Sequence, residues 1–241
     1  MDFREAHFLP NRGQPDPRGL PRQRRGTTPQ MHGRYPDFDV LEQVDHWDEV
    51  TRKVVLDRVE NVPEIRFFDE REAATLGYLC DLLLAQDAEP RVPVLAYVDE
   101  KQHEGRGDGY QYDDLPPDAE TWRIVARALD EEARKLGRDS FAELDEHDAL
   151  ELCHRFSKAE LSGGAWEELN VSHAFAVVMR DACEAFFSHP WEWNEMGFGG
   201  PAYPRGYAAF GSPDLGEREN WEKPEAFEID PVKDTQERGL D

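Results

Sequence analysis

Apolar residues recur at three- and four-residue steps through most of the middle of the chain. Val40, Leu41, Val44, Trp47, Val50 and Val54 follow this spacing with charged residues between them, which predicts an amphipathic helix over about 39–60, ended by Pro63. A second helix starts at Asp69, which pairs with Glu72 as a capping box, and its stripe is Ala73, Leu76, Leu79, Leu83 and Leu84. Asp118 is placed to cap a third, with Trp122, Val125, Leu129, Ala133 and Leu136 inward and Gly137 at its stop. A fourth covers about 146–157 through Ala149, Leu150, Leu152, Cys153 and Phe156, broken by Ser162-Gly163-Gly164. The fifth runs over about 165–187 with Trp166, Leu169, Phe175, Val178, Met179, Ala182 and Phe186.

Between the second and third helices, residues 90–117 contain Pro90, Pro93, the short apolar run 94–98, a Gly-rich polar stretch and Pro116-Pro117. They read as a long irregular connection, of the kind that is usually functional or clamped by a partner. No segment alternates with period two beyond a few residues, and no internal repeat is visible. The expected fold class is therefore all-α: a single irregular helical bundle with a long extended N-terminal arm, a long connecting loop and a C-terminal tail. The expected organisation is an arm over 1–38, an amphipathic helical extension over 39–63, a helical domain over 64–211 and a tail over 212–241.

Charge changes the picture at both ends. The 241 residues hold 28 Lys+Arg against 52 Asp+Glu, a net charge of −24. Such a chain is not expected to bind nucleic acid, because phosphate binding needs clustered Lys and Arg. Residues 1–36 run the other way, with seven basic and three acidic residues, six Pro and four Gly. They cannot bury enough surface to offset their conformational entropy, so alone they are expected to be a disordered arm that docks onto something acidic. Residues 212–241 carry ten acidic and four basic residues and read as a solvated or partner-wrapped extension. No run approaches the roughly 20 apolar residues a membrane span needs. Arg24-Arg25 lacks the apolar stretch of an export signal, which points to the cytoplasm, with the periplasm as the alternative if a partner carries the chain out.

Candidate chemistry is sparse. The three cysteines, Cys80, Cys153 and Cys183, form neither a CxxC pair nor a haem attachment site, and a disulfide framework is not indicated. Gly197-Phe198-Gly199-Gly200-Pro201-Ala202 satisfies G-x-G-x-x-A formally, but a helical pattern precedes it where a dinucleotide site needs a strand. His147, Glu151 and His154 share a helical stretch where three metal ligands are conceivable; the plainer reading is the acidic, solvated start of a helix. Cys153-His154, and His173 with Cys183, are weaker thiol–imidazole candidates.

Residues 188–207 are the most informative. Two Trp, one Phe, two Tyr, His189 and three Pro make a stiff surface of large contact area, and Gly197, Gly199 and Gly200 let backbone approach a neighbour closely. These aromatics fit a partner interface or a cap on the chain's own bundle equally well. The run from His189-Pro190-Trp191-Glu192-Trp193-Asn194 through Gly197-Phe198-Gly199-Gly200-Pro201-Ala202-Tyr203-Pro204-Arg205-Gly206-Tyr207 closely resembles the signature of the gluconate 2-dehydrogenase subunit 3 family. Phe67-Phe68 and the helix from Glu70 to Leu76 resemble that family's opening helix, so the resemblance covers about 64–210.

The resemblance implies a small accessory subunit, non-catalytic by itself. It would bind and stabilise an FAD-dependent flavoprotein of the glucose–methanol–choline class that oxidises a sugar or sugar acid. A cytochrome c subunit often receives the electrons in such complexes. Typical members carry a twin-arginine signal, from which this sequence departs. No cofactor is expected in this chain itself, and FAD is expected in the partner. The expected partner-binding residues are His189, Pro190, Trp193, Gly197, Phe198, Pro201, Tyr203 and Tyr207, and none is expected to be catalytic. Two other readings remain open: a stand-alone metal enzyme using His147, Glu151 and His154, or a chaperone that releases its client.

Overall fold

The computed structural model describes residues 39–86, 91–196 and 198–201. The arm and the acidic tail lie outside them. The described chain is all-α: α1 (Glu49–Glu60), α2 (Glu70–Leu83), α3 (Val94–His103), α4 (Asp118–Lys135), α5 (Glu146–Ser157), α6 (Val171–Phe187) and α7 (Pro190–Met196), with 3-10 helices at Val40–His46, Phe141–Glu143 and Gly164–Glu168 and no strand. No described helix is long and apolar enough to cross a membrane. The helices fall into two compact units. The central unit spans 62–86 and 92–188, and the terminal unit joins 39–61 to 189–201.

In the central unit α4 packs against α2, α6 and both internal 3-10 helices, while α3 packs on α2 and α6 and α5 on α2 and α6. Trp122, Val125, Leu129 and Ala133 of α4 are fully buried among Leu76, Leu79, Phe141, Phe156 and Val178. The capping box at Asp69 and Glu72 forms as the pattern requires. Gly137, at φ +79°, ends α4: its N–H donates to the Arg134 carbonyl and that of Arg138 to the Ala133 carbonyl, a Schellman closure.

Other local expectations need correction. The apolar run 94–98 is part of helix α3, not of an irregular connection; among the described residues of 90–117, 91–93 and 104–117 stay irregular. Helical spacing was hidden because α3 turns Asp99 and Gln102 inward beside Val94 and Val98. The Asp99 carboxylate accepts the N–H groups of Arg66, Phe67 and Phe68 at 2.7–3.1 Å and so fixes the chain that enters α2. Gln86 makes a two-way pair with Val92, its amide accepting that N–H at 2.7 Å and donating to that carbonyl at 3.1 Å.

Asp118 does not cap α4. Pro117 stands at that position without a side-chain cap, and the Asp118 carboxylate binds Arg180 at 2.6 Å instead. The long pattern over 39–60 divides into a 3-10 helix and α1, because Asp48 caps a new start by accepting the Thr51 N–H. The pattern over 165–187 divides likewise at Asn170, whose side chain accepts from His173. A seventh helix, α7, occupies the aromatic run that carried no helical expectation.

Candidate functional site

The run His189-Pro190-Trp191 builds the start of α7. Pro190 takes the first helical position, which suits its fixed φ and missing N–H. His189 caps the turn with its ring, Nδ1 accepting the Trp191 N–H at 3.3 Å. Its Nε2–H then donates to the Arg58 carbonyl at 3.0 Å, in the last turn of α1, where carbonyls need partners from outside the helix. Both contacts suit the neutral imidazole. Burial lowers the His189 pKa to about 4, against a smaller raising effect from the Arg58 carbonyl.

One turn on, Trp193 is buried in the terminal unit's core with Val40, Leu41, Trp47 and Val55, flanked by Val44, Leu56 and Val59. Its ring meets the Phe198 ring edge-to-face at 5.5 Å. Asn194 accepts the Val40 N–H at 2.7 Å and donates to Asp39 at 3.4 Å, pinning the start of the 3-10 helix. Gly200, at φ +76°, lies so close to Trp47 that a Cβ there would fall 2.7 Å from the indole and 3.0 Å from Val40. The glycine's close approach therefore serves a neighbour within the chain itself.

Of the residues expected to meet a partner, His189, Pro190 and Trp193 are buried inside their own unit, Pro201 is half-buried, and Phe198 is 38 % exposed. Gly197, Tyr203 and Tyr207 lie outside the described residues. Asn194 is a positioning residue that the sequence named within the run without singling out; a buried amide leaves no mark in an apolar pattern. The formal G-x-G-x-x-A stretch follows α7 and not a strand.

The His147, Glu151 and His154 side chains are exposed on α5, and their donors do not converge. Among the described residues, the group of three donors close enough to share a cation is Asp108, Asp181 and Glu184. That group already holds the Lys101 ammonium at 2.8, 3.1 and 2.6 Å. Arg180 adds contacts to Asp108 at 2.8 Å, Asp118 at 2.6 Å and Asp181 at 3.2 Å. Burial works against the Lys101 charge, but the three carboxylates outweigh it and raise its pKa. The cluster is an ion-pair centre that ties α3, α6 and the irregular connection together.

Burial raises the Cys80 pKa and pushes Cys153 up to about 12, and all three cysteines are free thiols. Burial also raises the pKa of the Cys183 thiol, which is only partly buried. His173 pairs with Asp114 at 2.7 Å and stacks on Tyr112 at 4.1 Å, which occupies its ring.

The His189 geometry sets a pH dependence for the terminal unit. The unfolded chain takes up a proton on His189 near its ordinary pKa of 6.5, while the folded unit refuses it until about 4. The stabilising effect is complete above 6.5 and is lost as pH falls towards 4, reaching about 3 kcal/mol, with no further loss below. Hydrogen exchange of α1 and α7 amides at pH 7, 5 and 4 should show this slope. A His189→Gln chain should not.

Residues 70–200, more than half of the chain, match the family model described as gluconate 2-dehydrogenase subunit 3. No curated protein and no solved structure matches the chain. The matched span starts with α2 at its capping box and ends at the glycine that Trp47 approaches. The chain belongs to the gluconate 2-dehydrogenase subunit 3 family, whose members are accessory subunits of that dehydrogenase.

Proposed function

We propose that this chain binds an FAD-dependent catalytic subunit of the glucose–methanol–choline class and stabilises it, taking no part in hydride transfer. The family match over 70–200 is the observation that carries this reading. The substrate of the complex is then a sugar or sugar acid, oxidised on the flavoprotein, and any cytochrome c subunit receives its electrons there. Binding the folded flavoprotein lowers its free energy relative to unfolded or cofactor-free forms by mass action. The exposed Phe198 ring, held edge-on by the buried Trp193, supplies a rigid aromatic anchor of the type that dominates protein interfaces.

The test is purification of the tagged full-length chain from its native host. A stoichiometric complex that survives gel filtration and shows a flavin absorbance spectrum is the expected result. A chain that elutes alone, or with a colourless partner, overturns the reading. Within such a complex, Phe198→Ala should weaken association about tenfold, read by titration of the purified subunits.

A further inference from the structure

We infer that the face of α7 is an interaction surface which this chain fills with its own residues 39–59, and that this segment is exchangeable for the same segment of a second copy of the chain. The first observation is one of extent. Trp193, Asn194 and Gly200 lie inside the span that matches the family, while Val40, Trp47 and Val55, which cover them, lie outside it. A domain limited to 70–200 would leave that face bare.

The second observation defines what the face accepts. Trp193 offers an aromatic floor, Asn194 reads a backbone N–H and a capping carboxylate, and Gly200 leaves room for an indole. The matching occupant is a short helical segment with an Asp cap, an aliphatic residue directly after it and a Trp one to two turns on. Residues 39–47 have that form.

The third observation is that the fit in cis is incomplete. The Gln43 Oε1 and Trp47 Nε1 atoms are buried with no hydrogen-bond partner, on side chains only 7 % and 6 % exposed. An orphaned buried polar group opposes the closed arrangement, because water satisfies it once the segment lifts. Val40–His46 is also a seven-residue 3-10 helix, longer than its weaker hydrogen-bond geometry usually sustains. Such regions open locally before the rest of a protein does. All of these contacts lie within the terminal unit and are independent of what the larger partner is.

Two measurements on the full-length chain test it. In native-state hydrogen exchange, the amides of Leu41, Val44 and Val55 should exchange together through an opening at least tenfold more frequent than that of the α4 amide Leu129. Exchange at a common rate with α4 overturns the inference. In the second, a fluorescent synthetic peptide of residues 39–61 is titrated into wild-type and Trp47→Ala chains. The variant, its own copy weakened, should bind the peptide at least tenfold more tightly than wild type, and a peptide carrying the same substitution should not bind. Concentration-dependent dimers that exchange the segment also support the inference, since a second copy then supplies it in trans. Equal binding, or none, by both chains overturns it, and Val40→Ala repeats the comparison with a milder change if Trp47→Ala loosens α7.

Discussion

Replacing Asp181 by alanine is expected to destabilise the central unit by about 3–5 kcal/mol, because it leaves buried charge uncompensated. Asp181 is 1 % exposed and sits on the inner face of α6. Its carboxylate accepts from the Trp122 indole at 2.9 Å, from Gln102 at 3.1 Å and from Lys101 at 3.1 Å. Alanine strands the indole and the amide and removes the innermost counter-charge of Lys101 and Arg180. The remaining partners, Asp108, Asp118 and Glu184, are nearer to solvent and bind only the outer side of those cations. Urea denaturation followed by circular dichroism should show the midpoint fall. Asp181→Asn keeps an acceptor for Trp122 and should lose less. A double replacement with Lys101→Met should recover part of the loss, because the unpaired cation goes too. Equal stability of Asp181→Ala and wild type would show that the network is surface electrostatics only.

Trp193→Ala should be as severe within the terminal unit, about 3–5 kcal/mol, the usual range for deleting a large buried aromatic. Few other large side chains fill that core, so the cavity has little to collapse onto it. Loss of hydrogen-exchange protection should be confined to α1, α7 and the Val40–His46 helix, with α2, α4 and α6 unchanged. Phe198 also loses the ring that holds it, so weakened association with a flavoprotein would follow as a second effect. Comparison with Phe198→Ala separates the two: that change should weaken association while leaving exchange in α1 nearly as it is. Protection in α1 unaltered by Trp193→Ala would contradict the packing.

The sequence announced some elements clearly and hid others for identifiable reasons. Helices α2, α4 and α5 were legible because their inward residues are mainly aliphatic or aromatic at regular steps. Helix α3 was not, since its buried side includes Asp99 and Gln102 and prolines precede it. The end of α5 at Ser157 was legible as well, although the chain turns at Ala159, at φ +54°, before it reaches the Ser162-Gly163-Gly164 breaker. Within the aromatic run, spacing identified a dense group of large side chains but could not show which surface they face. What decides it is Val40 and Trp47, about 150 residues earlier, and no local pattern links positions so far apart. His189 shows the same limit, because capping by an imidazole and donation to Arg58 depend on α1 being alongside.

The terminal unit joins two stretches with the whole central unit between them in the chain. As the polypeptide leaves the ribosome, Trp47 and α1 are made first and have nothing to cover them until α7 follows. Closing so long a loop is entropically unfavourable in a flexible chain. Trp47 and α1 can therefore be covered only after the whole central unit and α7 have been made. During that interval the nascent chain presents an uncovered indole and valines, the kind of surface that general chaperones hold.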